Sequence, residues 1–398
     1  MLKGEEIKLG IQPPQVIDRP DQEINEKYVK GEVRIVTEQA RYPLSSIPQM
    51  LDSDNYLLRP EYQRRHRWSN EKKSRLIESL VMNVPIPPIF LYEYEYSKYE
   101  VMDGLQRLST IQEFYSNQLD LTGLTEWEEL NGRTHSSLPD RVRAGIDRRY
   151  LSSIILLQET AKTGDEARIL KQLVFERINS GGERLMPQES RNAVFPGPMN
   201  ELCLSLSRQH SLCLMWGIPI ESDEDLFKPS EEVLLENSMY REMFDVELVL
   251  RFFAFRQDEQ YLRGALRDYL DEYQRHSNRF PDSLRLQMGK IFADTSDLCY
   301  DALGERAFWL WRKRGTRWNW LSRPTTIAYD TIMWVLSNRL DQADKIRASA
   351  TTLRAEMPRF YEQHYDKFAG RYTNPSNIVE RRLLFSLFLH EILARVTE

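Results

Sequence analysis

The chain has 398 residues, a formal net charge of −6, 41% hydrophobic and 29% charged residues, an ordinary globular composition long enough for two domains. That charge excludes indiscriminate coating of nucleic acid, and the absence of any run of about eighteen apolar residues excludes a membrane-spanning helix. Three scattered cysteines, Cys203, Cys213 and Cys299, exclude a disulfide framework and a zinc site. The opening Met1–Lys8 lacks the apolar core of a secretory signal, so the expectation is a reduced, cytoplasmic protein.

In chain order, residues 1–40 are polar and proline-containing and read as an extended arm with a strand near Val33–Val36. Ile47–Leu51 reads as a short helix. Arg59, Arg64, Arg65 and Arg67 then crowd a segment whose one acid is Glu61. Arginines this close repel one another. They form either a solvated face or a grip on polyphosphate or a nucleic-acid backbone, which planar guanidinium groups hold bidentately. Ser69 is an N-cap for a helix that buries Leu76, Ile77 and Leu80. Ile89–Tyr94 reads as a strand.

Tyr99–Met102 reads as a second strand, with an abrupt turn at Asp103-Gly104 and a helix whose apolar stripe is Leu105, Leu108, Ile111 and Phe114. That layout aims the unpaired N–H groups of a helix start, with Arg107 one turn inside, at whatever lies beyond the strand end, a natural receptor for phosphate. The plainer reading is a capping box formed by Asp103 and Gln106. Farther on, Leu151–Leu157 is a buried strand. Residues 162–179 form a helix entering the Asn179-Ser-Gly181-Gly182 turn, where the glycines are either a C-cap or part of a site.

Beyond about residue 190 a 3.6-residue period takes over, with helices expected over 201–215, 231–256, 259–273, 283–304, 324–340, 342–368 and 377–394. In the stretch 306–320, Trp309, Trp311, Trp318 and Trp320 interleave with Arg312, Lys313, Arg314 and Arg317. Aromatic faces beside cations suit unstacked bases or a DNA backbone. The competing reading packs the tryptophans into a core and ends a helix at Gly315. The six histidines are scattered, and there is no Walker-type loop and no recognisable nuclease cluster.

Five pieces in fixed order resemble one known family: Pro60-x-Tyr62-Gln63-Arg64 with Trp68, Pro85-Ile-Pro-Pro-Ile-Phe90, Asp103-Gly-x-Gln-Arg-Leu108, Phe175-Glu-Arg-x-Asn-x-Gly-Gly182, and Gln188-Glu-x-x-Arg-Asn192. The family is the N-terminal domain of GmrSD-type modification-dependent restriction enzymes, a branch of the ParB/sulfiredoxin-like superfamily, and the resemblance covers roughly residues 45–195. It implies an α+β protein, with a mixed ParB/sulfiredoxin-like domain over 41–195 followed by an all-helical domain over 196–398. It also implies a nucleotide or DNA-phosphate pocket. Gln63 and Arg64 would line that pocket, Asp103, Gly104, Gln106 and Arg107 would form its phosphate turn, and Asn179, Gly181 and Gly182 would close it. Leu105 stands where the family usually has a second glutamine, which removes one polar contact.

Two functions follow as expectations. The first is an NTP-binding and NTP-hydrolysing sensor in anti-phage restriction, using Mg2+, with Asp103, Gln106 and Arg107 as its catalytic group. The second is a non-enzymatic DNA-binding module or structural subunit, in which Arg65, Arg67 and the Trp311–Arg317 segment extend the contact. In either case DNA is the expected partner, and without the HNH nuclease carried by many GmrSD-like proteins, a separate protein is expected to cut.

Overall fold

The computed structural model describes residues 1–7, 20–30, 35–58, 68–160, 186–220, 231–257, 265–368 and 375–395, together with 170, 171, 173–175, 177 and 178. Gln63, Arg64, Arg65, Arg67, Asn179, Gly181 and Gly182 lie outside the described residues, as do Val33 and Arg34 of the strand expected near Val33–Val36; Ile35 and Val36 are not strand, which starts at Thr37. The chain forms two compact units, one of Val16–Val194 and one of Met1–Gln15 with Phe195–Glu398.

The first unit opens with α1 (Asp21–Lys30), where an extended arm is expected; its exposure, which extends to Ile24, Tyr28 and Val29, leaves the local backbone propensity to decide. Its strands are β1 (Thr37–Pro43), β2 (Tyr56–Leu57), β3 (Ile89–Glu95), β4 (Lys98–Asp103) and β5 (Tyr150–Leu156), in the order β1-β5-β3-β4-β2. β3 runs parallel to β5, and β2 runs parallel to β4; the other two pairings are antiparallel. Ile89 and Leu91 in β3, Val101 in β4 and Leu151 in β5 are fully buried, because β-branched and aliphatic side chains on alternate positions fill the covered face. The edge strand β1 is mostly exposed, carries Glu38 and Arg41, and ends at Pro43, all of which discourage further pairing.

The sheet is strongly curled. Tyr42 on one edge strand and Tyr56 on the other approach to 6.4 Å between ring centres, edge to face, whereas four flat inter-strand spacings would separate the edges by about 19 Å. On the covered face lie α2 (Ile47–Leu51), α3 (Asn70–Val81), α4 (Leu105–Tyr115) and α5 (Asp140–Ile146), contributing Ile47, Ile77, Leu108, Ile111, Phe114 and Ile146 to one core. As the sequence implies, Ser69 caps α3 by accepting from the N–H of Lys72 at 3.3 Å. The unit closes with α6 (Pro187–Val194).

The second unit is built around the helix Asp282–Leu303, with Pro198–Leu206, His210–Trp216, Thr326–Ser337 and Ala350–Gln363 packed along it. Three helices expected as continuous are broken. The 201–215 helix breaks at Ser207–Gln209, where the Ser207 hydroxyl turns back onto Leu204 O at 2.8 Å. The 231–256 helix breaks at Asn237, whose side chain caps Tyr240 N at 3.1 Å, and at Met243, which is left-handed with φ +55. The 342–368 helix breaks at Ser349, whose hydroxyl bonds Lys345 O at 2.9 Å. At Ser207, Asn237 and Ser349 a short polar side chain competes with the helical ladder, a local effect that a hydrophobic period does not register.

Two further corrections concern domain composition. Met1–Ile7 is not an arm: the Glu5 carboxylate is fully buried against Arg256 (2.8 and 3.1 Å), and Gln257 bonds both Ile7 N and Glu5 O. The carboxyl-terminal unit is not purely helical, since Trp311–Arg314 (β6) and Arg317–Trp320 (β7) form an antiparallel hairpin.

Candidate functional site

The β4–α4 turn is specified by one residue. Gly104 sits at φ +98, and a Cβ placed on it would lie 2.4 Å from Ile89 Cγ2 and 3.3 Å from Arg107 Nη2. Only glycine satisfies both the left-handed backbone and the close approach to β3. Gly104, not Asp103, is the N-cap of α4, and no side chain caps the helix. The capping-box reading therefore fails, and among the described residues the N–H groups of Leu105, Gln106 and Arg107 have no acceptor. They open α4 on its positive end, where negative charge is favoured.

Both side chains of the expected capping box are used elsewhere. Asp103 Oδ2 accepts from Arg107 Nη2 at 2.6 Å. Gln106 Oε1 accepts from the N–H of Trp68 at 3.2 Å. Trp68, the residue after Arg67 in the chain, is thereby fixed at the start of α4. Lys72 lies 5.0 Å over the Trp68 ring, and Lys73 pairs with Glu113 at 2.6 Å to join α3 to α4.

Arg107 is committed inside the protein. Its Nη1 donates to the carbonyls of Pro87 and Pro88, the latter at 3.1 Å, its Nη2 holds Asp103, and its side chain is only 11% exposed. Burial pushes its pKa down and Asp103 offsets part of that push. A guanidinium clamped this way fixes the geometry of the turn instead of reaching outward to a ligand. The sequence carried a signal for this partner: two consecutive prolines have no N–H, so Pro87 and Pro88 take no part in the sheet as donors.

Leu105 packs half-buried against the core, so at this position the turn presents no polar group. On the opposite face of the sheet from α4, Lys171 bonds Glu100 of β4 at 2.6 Å and lies 5.7 Å over the Tyr92 ring. The helical residues that lead toward Asn179 are thereby fastened to the strand that leads into Gly104. In α6, Gln188, Glu189, Ser190, Arg191 and Asn192 are all buried. Gln188 donates to Asn192 at 2.7 Å and accepts from Arg191, while Glu189 accepts from Met186 N at 2.8 Å. Five successive buried polar residues are costly unless they serve one another or a ligand. The sequence shows the motif, but only burial exposes its cost.

Residues 47–196 match the family model for the GmrSD restriction endonuclease, N-terminal domain. They are a GmrSD-type N-terminal domain. No curated protein and no solved structure matches the chain. The GmrSD-type domain holds the Gly104 turn, the Arg107 clamp, the Lys171 tether and the polar run of α6, and it links the chain to GmrSD-type restriction.

For a nucleoside triphosphate with Mg2+, the GmrSD-type domain presents two fitting features. One is the set of α4 N–H groups; the other is Asp103, whose carboxylate is 35% exposed and has Oδ1 without a partner among the described residues. Mg2+ commonly uses one protein carboxylate together with phosphate oxygens and water. Among the described residues no group of three or more His, Cys, Asp or Glu is placed to hold a metal unaided.

The expected aromatic–cationic segment lies in the other unit and is a hairpin. Gly315, at φ +62, is the first residue of a two-residue turn and not a helix C-cap. Trp311 and Trp320 pack against the core and against each other at 5.4 Å, and Trp318 meets Tyr365 at 5.4 Å. Arg306 covers the Trp309 ring at 5.2 Å. No helix among the described residues is long and apolar enough to cross a membrane.

Proposed function

We propose that this chain is a nucleotide-sensing component of a GmrSD-type restriction system, binding a nucleoside triphosphate with Mg2+ at the Gly104 turn. The observation that carries this reading is a helix start whose N–H groups have no acceptor among the described residues, held in place by a glycine that admits no substitute and by an internal Arg107 clamp. The phosphates would meet the α4 N–H groups. Asp103 Oδ1 would face the metal and orient an attacking water, and Gln106 would hold the arginine-rich segment, with Gln63 and Arg64, beside the pocket. Asn179, Gly181 and Gly182 would close it from the helix that Lys171 tethers. Arg107 acts as a positioning residue.

A second reading, binding of a DNA phosphate without turnover, draws support from Leu105, which supplies no polar group in the first turn of α4. Both readings leave DNA cleavage to a separate protein.

The test is calorimetric titration of the four ribonucleoside triphosphates with Mg2+ into wild type, Arg64→Ala and Arg107→Lys, with phosphate release followed in parallel. Micromolar binding that falls at least about tenfold in Arg64→Ala, the loss of one charge-assisted phosphate contact, is expected. Phosphate release would establish hydrolysis, and binding without release would establish a sensor that does not turn over. If the wild type binds none of the four, the nucleotide reading fails.

A further inference from the structure

The hairpin β6–β7 carries a second surface. From Arg306 through Tyr329 there are six basic residues and no acid, in a chain whose net charge is −6. Lys313, Arg317 and Arg323 are exposed, and none has an ion-pair partner among the described residues. Arg312 fastens the hairpin by donating to Phe368 O at 2.6 Å, and burial together with Arg323 pushes its pKa down. The neighbouring helices bring Glu362, which accepts from Trp311 Nε1 at 2.8 Å, exposed Asp366, and Lys367, which is paired with Glu380. The carboxylates near the hairpin do not neutralise its exposed cations.

The ladder pairs Trp311 with Trp320 and Lys313 with Trp318, while Arg312 pairs with Asn319 and Arg314 with Arg317. The tryptophans are consumed in packing, so the hairpin offers no aromatic platform on which unstacked bases could lie. It offers instead a narrow two-stranded ribbon with an open tip, since nothing lies within 4 Å of a Cβ built on Gly315. A two-stranded ribbon fits the major groove of duplex DNA, and unpaired cations along it match two rows of phosphates.

We infer that the exposed rim of this hairpin, Lys313 and Arg317 beside the Gly315-Thr316 tip with Arg323 just past its base, contacts the phosphate backbone of double-stranded DNA. The contact is sequence-independent and holds the duplex while other parts of the system examine it. It is separate from the Gly104 turn and does not require a nucleotide there.

The experiment uses the full chain and a fluorescein-labelled 20-base-pair duplex, followed by anisotropy between 50 and 200 mM NaCl. Lys313→Ala/Arg317→Ala should bind about tenfold more weakly at 100 mM salt, and its plot of log K against log salt should flatten by roughly 1.8, or 0.9 for each lost phosphate contact. Its melting temperature and nucleotide titration should match wild type, and Lys313→Arg/Arg317→Lys should restore binding. Equal affinity and slope in the alanine variant overturn the inference, as do tighter binding to a single strand than to the duplex and absence of duplex binding by the wild type. DNA binding that depends on the hairpin in a protein binding no nucleotide sustains this inference while the Gly104 reading falls.

Discussion

Gly104 couples backbone and packing at one atom. Its φ of +98 puts a side chain into strain, and its contact with Ile89 leaves no volume for even a methyl group. Gly104→Ala is expected to destabilise the protein by about 3 kcal/mol, combining left-handed strain with overpacking. A urea midpoint within error of wild type would show that the turn relaxes freely. The glycine was legible in the sequence, because a strand followed at once by a helix needs such a residue. Arg107 was legible as important but not in its role: its partners Pro87 and Pro88 are some twenty residues away, and spacing alone does not show which oxygens a guanidinium will meet.

At the scale of elements, the strands and helices around the turn follow their sequence patterns closely, because each has a clean period of two or 3.6 and one buried face. The hairpin shows the opposite case. Trp-Arg-Lys-Arg-Gly-Thr-Arg-Trp-Asn-Trp has a two-residue turn signal between alternating residues, yet its density of bulky and basic residues equally suits a helix end. Contact with Tyr361 of Ala350–Gln363 and Tyr365 of Tyr365–Phe368 decides the matter. The Lys171–Glu100 tether joins elements that no local pattern connects. Lys171→Met should cost about 3 kcal/mol by leaving a buried carboxylate short of its ammonium partner, and Lys171→Met/Glu100→Leu should recover most of that loss in urea denaturation. A double variant as unstable as the single one would mean that packing, not charge, holds the helix to the sheet.

For the whole molecule, the consequential feature is that the mixed unit is inserted within the helical one, whose chain comprises Met1–Gln15 and Phe195–Glu398. The buried Glu5–Arg256 pair secures the short first piece to the long second one. Glu5→Ala leaves the Arg256 guanidinium buried without its carboxylate, with the Ser337 hydroxyl still accepting from it, and should cost about 3–5 kcal/mol. The check is a thermal scan in which the transition of the helical unit moves to lower temperature; an unmoved transition would show the first residues to be dispensable. By itself the sequence determined the GmrSD-type motifs, the glycine turn and the amphipathic helices, all written in residue type and short-range period. Only the tertiary structure decided that Arg107 is an internal clamp, that the tryptophans pack inward and leave the hairpin cations outside, and that Met1–Ile7 belongs to the helical unit. Those outcomes depend on partners tens to hundreds of residues apart, chosen by burial and hydrogen-bond satisfaction once the elements have assembled.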